Sequence, residues 1–74
     1  MRVTIKLFAG LRQGRFQAET FVLSQGTTVD QVVQDHKIPY PKIGILICNG
    51  RHVDLDHELL EGDVLSIFPK VGGG

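Results

Sequence analysis

Hydrophobic and polar residues alternate with a period of two at the start of the chain. Val3, Ile5 and Leu7 fall on one side, with Arg2, Thr4, Lys6 and Phe8 on the other. That spacing predicts a strand over residues 3–8 with one buried face. Phe8 is the odd member, an aromatic on the polar side. Gly10 and Gly14 mark a loop over residues 9–15, and residues 16–23 form a second β-rich run. A connection this short favours an antiparallel hairpin. The period then changes: Val29, Val32 and Val33 recur at i, i+3 and i+4, one apolar stripe of a short helix. Thr28 and Gln31 fit a capping box at its start, and Asp30 suits the positive end of the helix dipole. Pro39 and Pro41 forbid continuation beyond residues 36–38.

Residues 43–48 are dense in isoleucine and leucine and predict a central strand buried on both faces. Asn49-Gly50 is a strong hairpin signal, with Arg51-His52-Val53 as the return strand. In the turn-rich stretch 54–60, Leu55, Leu59 and Leu60 are placed to plug the open side of the core. Glu61-Gly62-Asp63 reads as a turn, residues 64–68 as the last strand, and Pro69 as its stop. The order β-β-α-β-β-β gives an α+β fold, a ubiquitin-like β-grasp with a mixed sheet of four to five strands packed on one helix. In that arrangement the first and last strands pair in parallel at the middle of the sheet. Val3, Ile5, Leu7, Leu65 and Ile67 are then buried beneath Val29, Val32 and Val33. The expected organisation is a domain over residues 1–68 and a flexible glycine tail over residues 69–74.

A chain of 74 residues buries only about 60% of its unfolded surface and leaves little room for an enclosed catalytic pocket. Eight basic and eight acidic residues cancel, which argues against electrostatic nucleic-acid binding. No apolar run approaches the ~18 residues of a membrane span, and no signal peptide is visible. Cys48 is the single cysteine, so no internal disulfide forms and a reducing cytoplasm is the expected compartment. The spacing of Cys48, His52 and His57 matches no closed zinc pattern, and a fourth ligand is missing, so no metal site is expected. Cys48 reads as a core residue, with a resolving thiol as the lesser alternative. Glu58, Glu61 and Asp63 read as solvated turn residues, and Arg12 and Arg15 as solvated charge.

The last seven residues, Phe68-Pro69-Lys70-Val71-Gly72-Gly73-Gly74, carry no side-chain chemistry beyond one lysine. Read as a free C-terminus, their reactive group is the carboxylate of Gly74, on an arm without Cβ atoms to obstruct a narrow site. Six residues after Phe68 extend roughly 20 Å. Three segments together carry a family likeness: Val3 to Ala9 with Leu11-Arg12; Asn49-Gly50 with Val53-Asp54; and Leu60-Glu61-Gly62-Asp63-Val64 through Ile67-Phe68-Pro69 to Val71 and the glycines. With them the chain resembles the MoaD/ThiS sulfur carriers. The Phe8-Ala9 opening and Phe68-Pro69 look more like the small subunit of molybdopterin synthase, while the Gly72-Gly73-Gly74 ending and short helix look more like the thiamine-thiazole sulfur carrier.

The resemblance implies a carrier rather than an enzyme. An ATP- and Mg²⁺-using adenylating enzyme would activate Gly74, a sulfur donor would convert it to a thiocarboxylate, and a larger synthase subunit or thiazole synthase would accept the sulfur. The carrier itself would hold no stable cofactor and no catalytic side chain. Gly72 and Gly73 would thread the tail, and Phe8, Phe68 and Val71 would dock the partner. The leading pathway is molybdopterin biosynthesis for a molybdenum or tungsten cofactor, with the thiamine pathway as its alternative. Two other functions stay open: a ubiquitin-like modifier that forms isopeptide bonds, and a plain interaction module with an incidental tail.

Overall fold

A computed structural model describes residues 1–71. The strands are β1 (Arg2–Leu7), β2 (Ala18–Val22), β3 (Ile43–Cys48), β4 (Arg51–His52) and β5 (Val64–Pro69), with one helix, α1 (Val29–Asp35), between β2 and β3. Among the described residues these strands form one mixed sheet in the order β2-β1-β5-β3-β4. β1 and β5 lie side by side in parallel at its centre, with Thr4 opposite Val64 and Leu7 opposite Ile67. All other pairings are antiparallel. This is the ubiquitin-like β-grasp that the sequence predicts.

The core follows from strand alternation. Val3, Ile5 and Leu7 from β1 meet Leu65 and Ile67 from β5, under Val29, Val32 and Val33 of α1; all are buried. Each such side chain contributes about 1.5–3 kcal/mol when fully buried. The capping box forms as predicted: Gln31 N–H donates to Thr28 Oγ1 at 3.3 Å, and Thr28 N–H donates to Gln31 Oε1 at 3.1 Å. Residues after β4 strap the same helix end. Val29 N–H donates to the His57 carbonyl at 3.0 Å and Asp30 N–H to that of Leu55 at 2.9 Å. These bonds use two of the donors that an N-terminal turn leaves unpaired, and they hold Leu59 in the core. At the other end of α1, Arg15 Nε donates to the His36 carbonyl at 3.0 Å and Arg15 Nη2 to that of Lys37 at 2.8 Å. Arg15 is therefore a clamp on the helix terminus rather than a solvated charge.

Several expectations are corrected. β3 is not buried on both faces, because α1 covers only one face of the sheet; Ile45 points away from it and is 40% exposed. β2 is shorter than residues 16–23, since Phe16 leaves the strand to pack on Phe21 and His36 at ring separations of 5.2 Å each. Leu60 does not plug the core and is 66% exposed. Pro69 does not end the pairing: it lies opposite Ile43, and Lys70 N–H continues the ladder to the Lys42 carbonyl at 3.0 Å.

Asp63 is the largest departure. It is buried, not a solvated turn residue. Its Oδ1 accepts from Asn49 Nδ2 and its Oδ2 from Leu60 N–H, both at 2.8 Å. Asn49 Oδ1 in turn accepts from Val64 N–H at 2.9 Å. This latch ties the Asn49-Gly50 hairpin, whose φ values of 51° and 82° fit the two-residue turn, to the start of β5. Burial alone would raise the Asp63 pKa, but the bonds from Leu60, Asn49 and Cys48 and the nearby His57 outweigh it and hold the carboxyl below its ordinary value. A depressed native pKa adds stability that is full above the unfolded value of about 3.9 and is lost as pH falls through the native value. Asp63→Ala is expected to lower stability by about 1–3 kcal/mol near pH 7, since it leaves the part-buried Asn49 Nδ2 and Leu60 N–H donors without their acceptor. Urea titrations across acidic pH should also show a shallower acid loss in the variant; equal acid slopes would show that Asp63 is not a source of the dependence.

Candidate functional site

The sheet face away from α1 carries the candidate site. Strand register sorts its residues. Thr4 and Lys6 from β1 and Thr20 from β2 form a polar half, where Thr4 Oγ1 and Thr20 Oγ1 share a hydrogen bond of 2.9 Å. The other half is apolar. Ile45 lies opposite Phe68 and Ile47 opposite Ser66, so both isoleucines share the face of Phe68. The parallel register of β1 and β5 brings Phe8 beside Phe68, and Phe8 N–H donates to the Ile67 carbonyl at 3.2 Å.

Phe8 and Phe68 stack with ring centroids 4.2 Å apart and planes 13° from parallel. Such a pair is worth about 0.5–1.5 kcal/mol beyond its burial. Each ring shields the other, so both are half-buried rather than fully exposed. The Arg12 guanidinium lies 5.5 Å from the Phe8 centroid, and its Nε donates to the Leu7 carbonyl at 2.8 Å. Arg12 is exposed, as expected of a solvated charge, and is held against the aromatic pair by a cation–π contact. The site thus presents an apolar patch rimmed by one positioned cation.

Sequence reading names Phe8, Phe68 and Val71 but misses Ile45, because a run of isoleucines does not reveal which of them faces the helix. Val71 is 89% exposed beyond the end of β5. Gly72, Gly73 and Gly74 lie outside the described residues.

The chain leaves the sheet beside this patch. Gly44 permits that exit. The register slips between Ile43 and Ile45, and a Cβ on Gly44 would sit 2.6 Å from the Pro69 carbonyl oxygen and 2.9 Å from Lys70 Cα. Only a hydrogen fits there. No pattern in the sequence marks this glycine, since its reason is the close approach of a backbone remote in the chain.

Cys48 lies at the far end of β3 and is buried. Desolvation, with Asp63 beside it, pushes its thiol up to about 11. A thiol so protonated near neutral pH is a poor nucleophile, which weighs against the resolving-thiol reading. The fold also joins residues that sequence spacing separates: single donor atoms of Cys48, His57 and Asp63 all lie within 4.8 Å of one another. His52, the third residue considered from sequence, is exposed on β4.

The model of the ThiS family matches residues 5–74. A putative molybdopterin converting factor, subunit 1, from Pyrococcus furiosus is 30% identical, with a TM-score of 0.77 over 96% of this chain and 99% of that one. SAMP1 from Haloferax volcanii is 25% identical, with a TM-score of 0.76 and full coverage of both chains (100% each). A chain from the complex of subunits 1 and 2 of the Helicobacter pylori molybdopterin-converting factor shares the fold at 21% identity, with a TM-score of 0.68 and 100% of both chains covered. No curated protein matches the chain.

Gly44→Ala is expected to cost about 1–3 kcal/mol, the usual range for overpacking, and to part Lys70 from Lys42. Amide exchange should accelerate at Lys70 while the β1–β5 amides stay protected. Unchanged exchange at Lys70 would show that the strand accommodates the methyl group.

Proposed function

The chain belongs to the ThiS family of ubiquitin-like sulfur carriers, and on that footing we propose that it carries sulfur on the carboxylate of Gly74 for molybdopterin assembly. The observation that carries this reading is the placement of the tail root. β5 delivers the chain to the edge of an apolar patch built from Phe8, Phe68 and Ile45, then releases it through Lys70 and Val71. A partner that covers the patch receives the tail in the same act. The 30% identity to the Pyrococcus furiosus subunit supports the molybdopterin pathway over the thiamine one. The Helicobacter pylori complex, in which subunit 1 meets subunit 2, supports a larger synthase subunit as one such partner.

The chemistry requires activation first. A carboxylate resists acyl transfer because oxide is a poor leaving group. In the proposed route an adenylating partner directs a Gly74 oxygen at the α-phosphorus of ATP and expels pyrophosphate. A persulfide sulfur then displaces AMP, and a thiol cleaves the resulting acyl disulfide to leave the thiocarboxylate. Mg²⁺, orientation and charge stabilisation belong to the partner. The carrier supplies an unobstructed main chain and a docking face. Its own thiol, Cys48, is buried away from the reaction.

Intact mass after incubation with ATP, Mg²⁺, a sulfur source and cell extract tests the proposal. A gain equal to one oxygen replaced by sulfur, localised to Gly74, is expected. Gly73→Ala and Gly74→Ala should fold normally and lose loading, as should a chain extended by a few residues. Normal loading of both variants would overturn the threaded-tail reading, and attachment through Gly74 to protein lysines would assign the chain to the modifiers instead.

Docking is tested separately, by calorimetric titration of the adenylating enzyme or the larger synthase subunit. Phe8→Ala or Phe68→Ala should weaken binding by about 2 kcal/mol, roughly thirtyfold, as for a buried aromatic anchor. An affinity within twofold of the wild type would place the interface elsewhere.

A further inference from the structure

The end of the sheet away from the tail root holds a group of residues that sulfur carriage does not use. Cys48 closes β3, His57 lies in the stretch that straps α1, and Asp63 precedes β5. The donor atoms Cys48 Sγ, a His57 ring nitrogen and an Asp63 carboxylate oxygen lie within 4.8 Å of one another. All three line one open cleft, together with Asn49 and His52. We propose that Cys48, His57 and Asp63 form a binding site for a borderline divalent cation of the zinc type, with a water in the fourth position facing the cleft.

The donor set decides the class of metal. One sulfur, one imidazole nitrogen and one carboxylate oxygen match zinc, whereas magnesium and calcium take oxygen ligands. A tetrahedral zinc site places such donors roughly 3.3–3.6 Å apart, from bond lengths of about 2.0–2.3 Å. From separations of up to 4.8 Å, the group therefore needs to contract by up to roughly 1.2–1.5 Å. Cys48 and Asp63 are set in the sheet and the latch, so the half-buried His57 ring supplies that movement from its turn.

Asp63 is already oriented as a ligating carboxylate is in known metal sites. Its two oxygens are held by Asn49 Nδ2 and Leu60 N–H, both at 2.8 Å, and each oxygen keeps a further lone pair. Hydrogen-bonded outer partners of this kind fix a ligand's direction. The thiol is protonated in the free protein, since burial and Asp63 raise its pKa. On binding, the S–H bond breaks, the sulfur–metal bond forms, and the proton goes to solvent; a metal-bound thiol is deprotonated outright. The site lies at the Cys48 end of β3 while the tail root lies at the Ile43 end, roughly 17 Å away along the strand at ~3.3 Å per residue. Occupancy would pin the β3–β4 hairpin to the strap on α1 and leave the docking patch clear. The inference does not depend on sulfur carriage.

Titration of the purified chain with cobalt(II), followed by zinc(II) displacement, reads the site directly. One equivalent of cobalt should produce tetrahedral visible bands and a thiolate-to-cobalt charge-transfer band, and zinc should erase both. Zinc at a hundredfold excess over its dissociation constant should raise the melting temperature by several degrees. Cys48→Ser should abolish the charge-transfer band. His57→Ala, at a half-buried turn position that spares the core, should weaken binding at least a hundredfold, and its folding is checked by the amide NMR spectrum. His36→Ala, on the opposite end of α1, should bind as the wild type does. An octahedral spectrum without charge transfer, unchanged affinity in His57→Ala, or an equal loss in His36→Ala would overturn the proposal.

Discussion

The parallel pairing of β1 with β5 is the constraint on which the rest of the molecule depends. Two segments more than fifty residues apart must meet at the sheet centre, Thr4 against Val64 through Leu7 against Ile67. Their inward residues are fully buried, so the pairing and the core are one event. A parallel pair needs a crossover, and α1 supplies it while covering the inner face. The same register, read on the outer face, puts Phe8 next to Phe68. The apolar patch is thus a consequence of the alignment that buries Ile5 and Leu65, and a one-residue slip of β5 would turn Phe68 inward and part it from Phe8.

β3 divides the molecule's tasks between its two ends. At Ile43, a register slip and the bare backbone of Gly44 let Pro69 and Lys70 press close, which fixes where the chain departs. At Cys48, the Asn49–Asp63 latch closes the hairpin onto β5. That separation lets the apolar patch at the tail root coexist with a polar, chemically distinct cluster in so small a domain.

Most of the fold was legible in the sequence because local signals agreed with the global arrangement. The period-two alternation of β1, the Thr28–Gln31 box and the Asn49-Gly50 turn each fixed an element that the structure contains. The failures share a cause. Burial of Asp63, exposure of Ile45, the short β2 and the need for Gly44 all depend on which remote segment lies opposite, and no window of neighbouring residues carries that information. Arg15 looks solvated in the sequence for the same reason, since its partners are backbone carbonyls brought to it by the fold. Of the candidate site, the aromatic pair was visible as an anomaly in a polar stripe. The glycines were visible as composition, and they fall outside the described residues.

The arrangement also bears on why a carrier of this design, on the proposed reading, keeps its side chains out of the chemistry. An activated acyl group reacts with the nearest competent nucleophile. The single thiol of this chain is buried at the far end of β3 with its pKa raised to about 11, so it neither ionises appreciably near neutral pH nor reaches the tail root. Self-acylation at Cys48 is therefore disfavoured by geometry. The activated terminus is left for whatever nucleophile the docked partner presents.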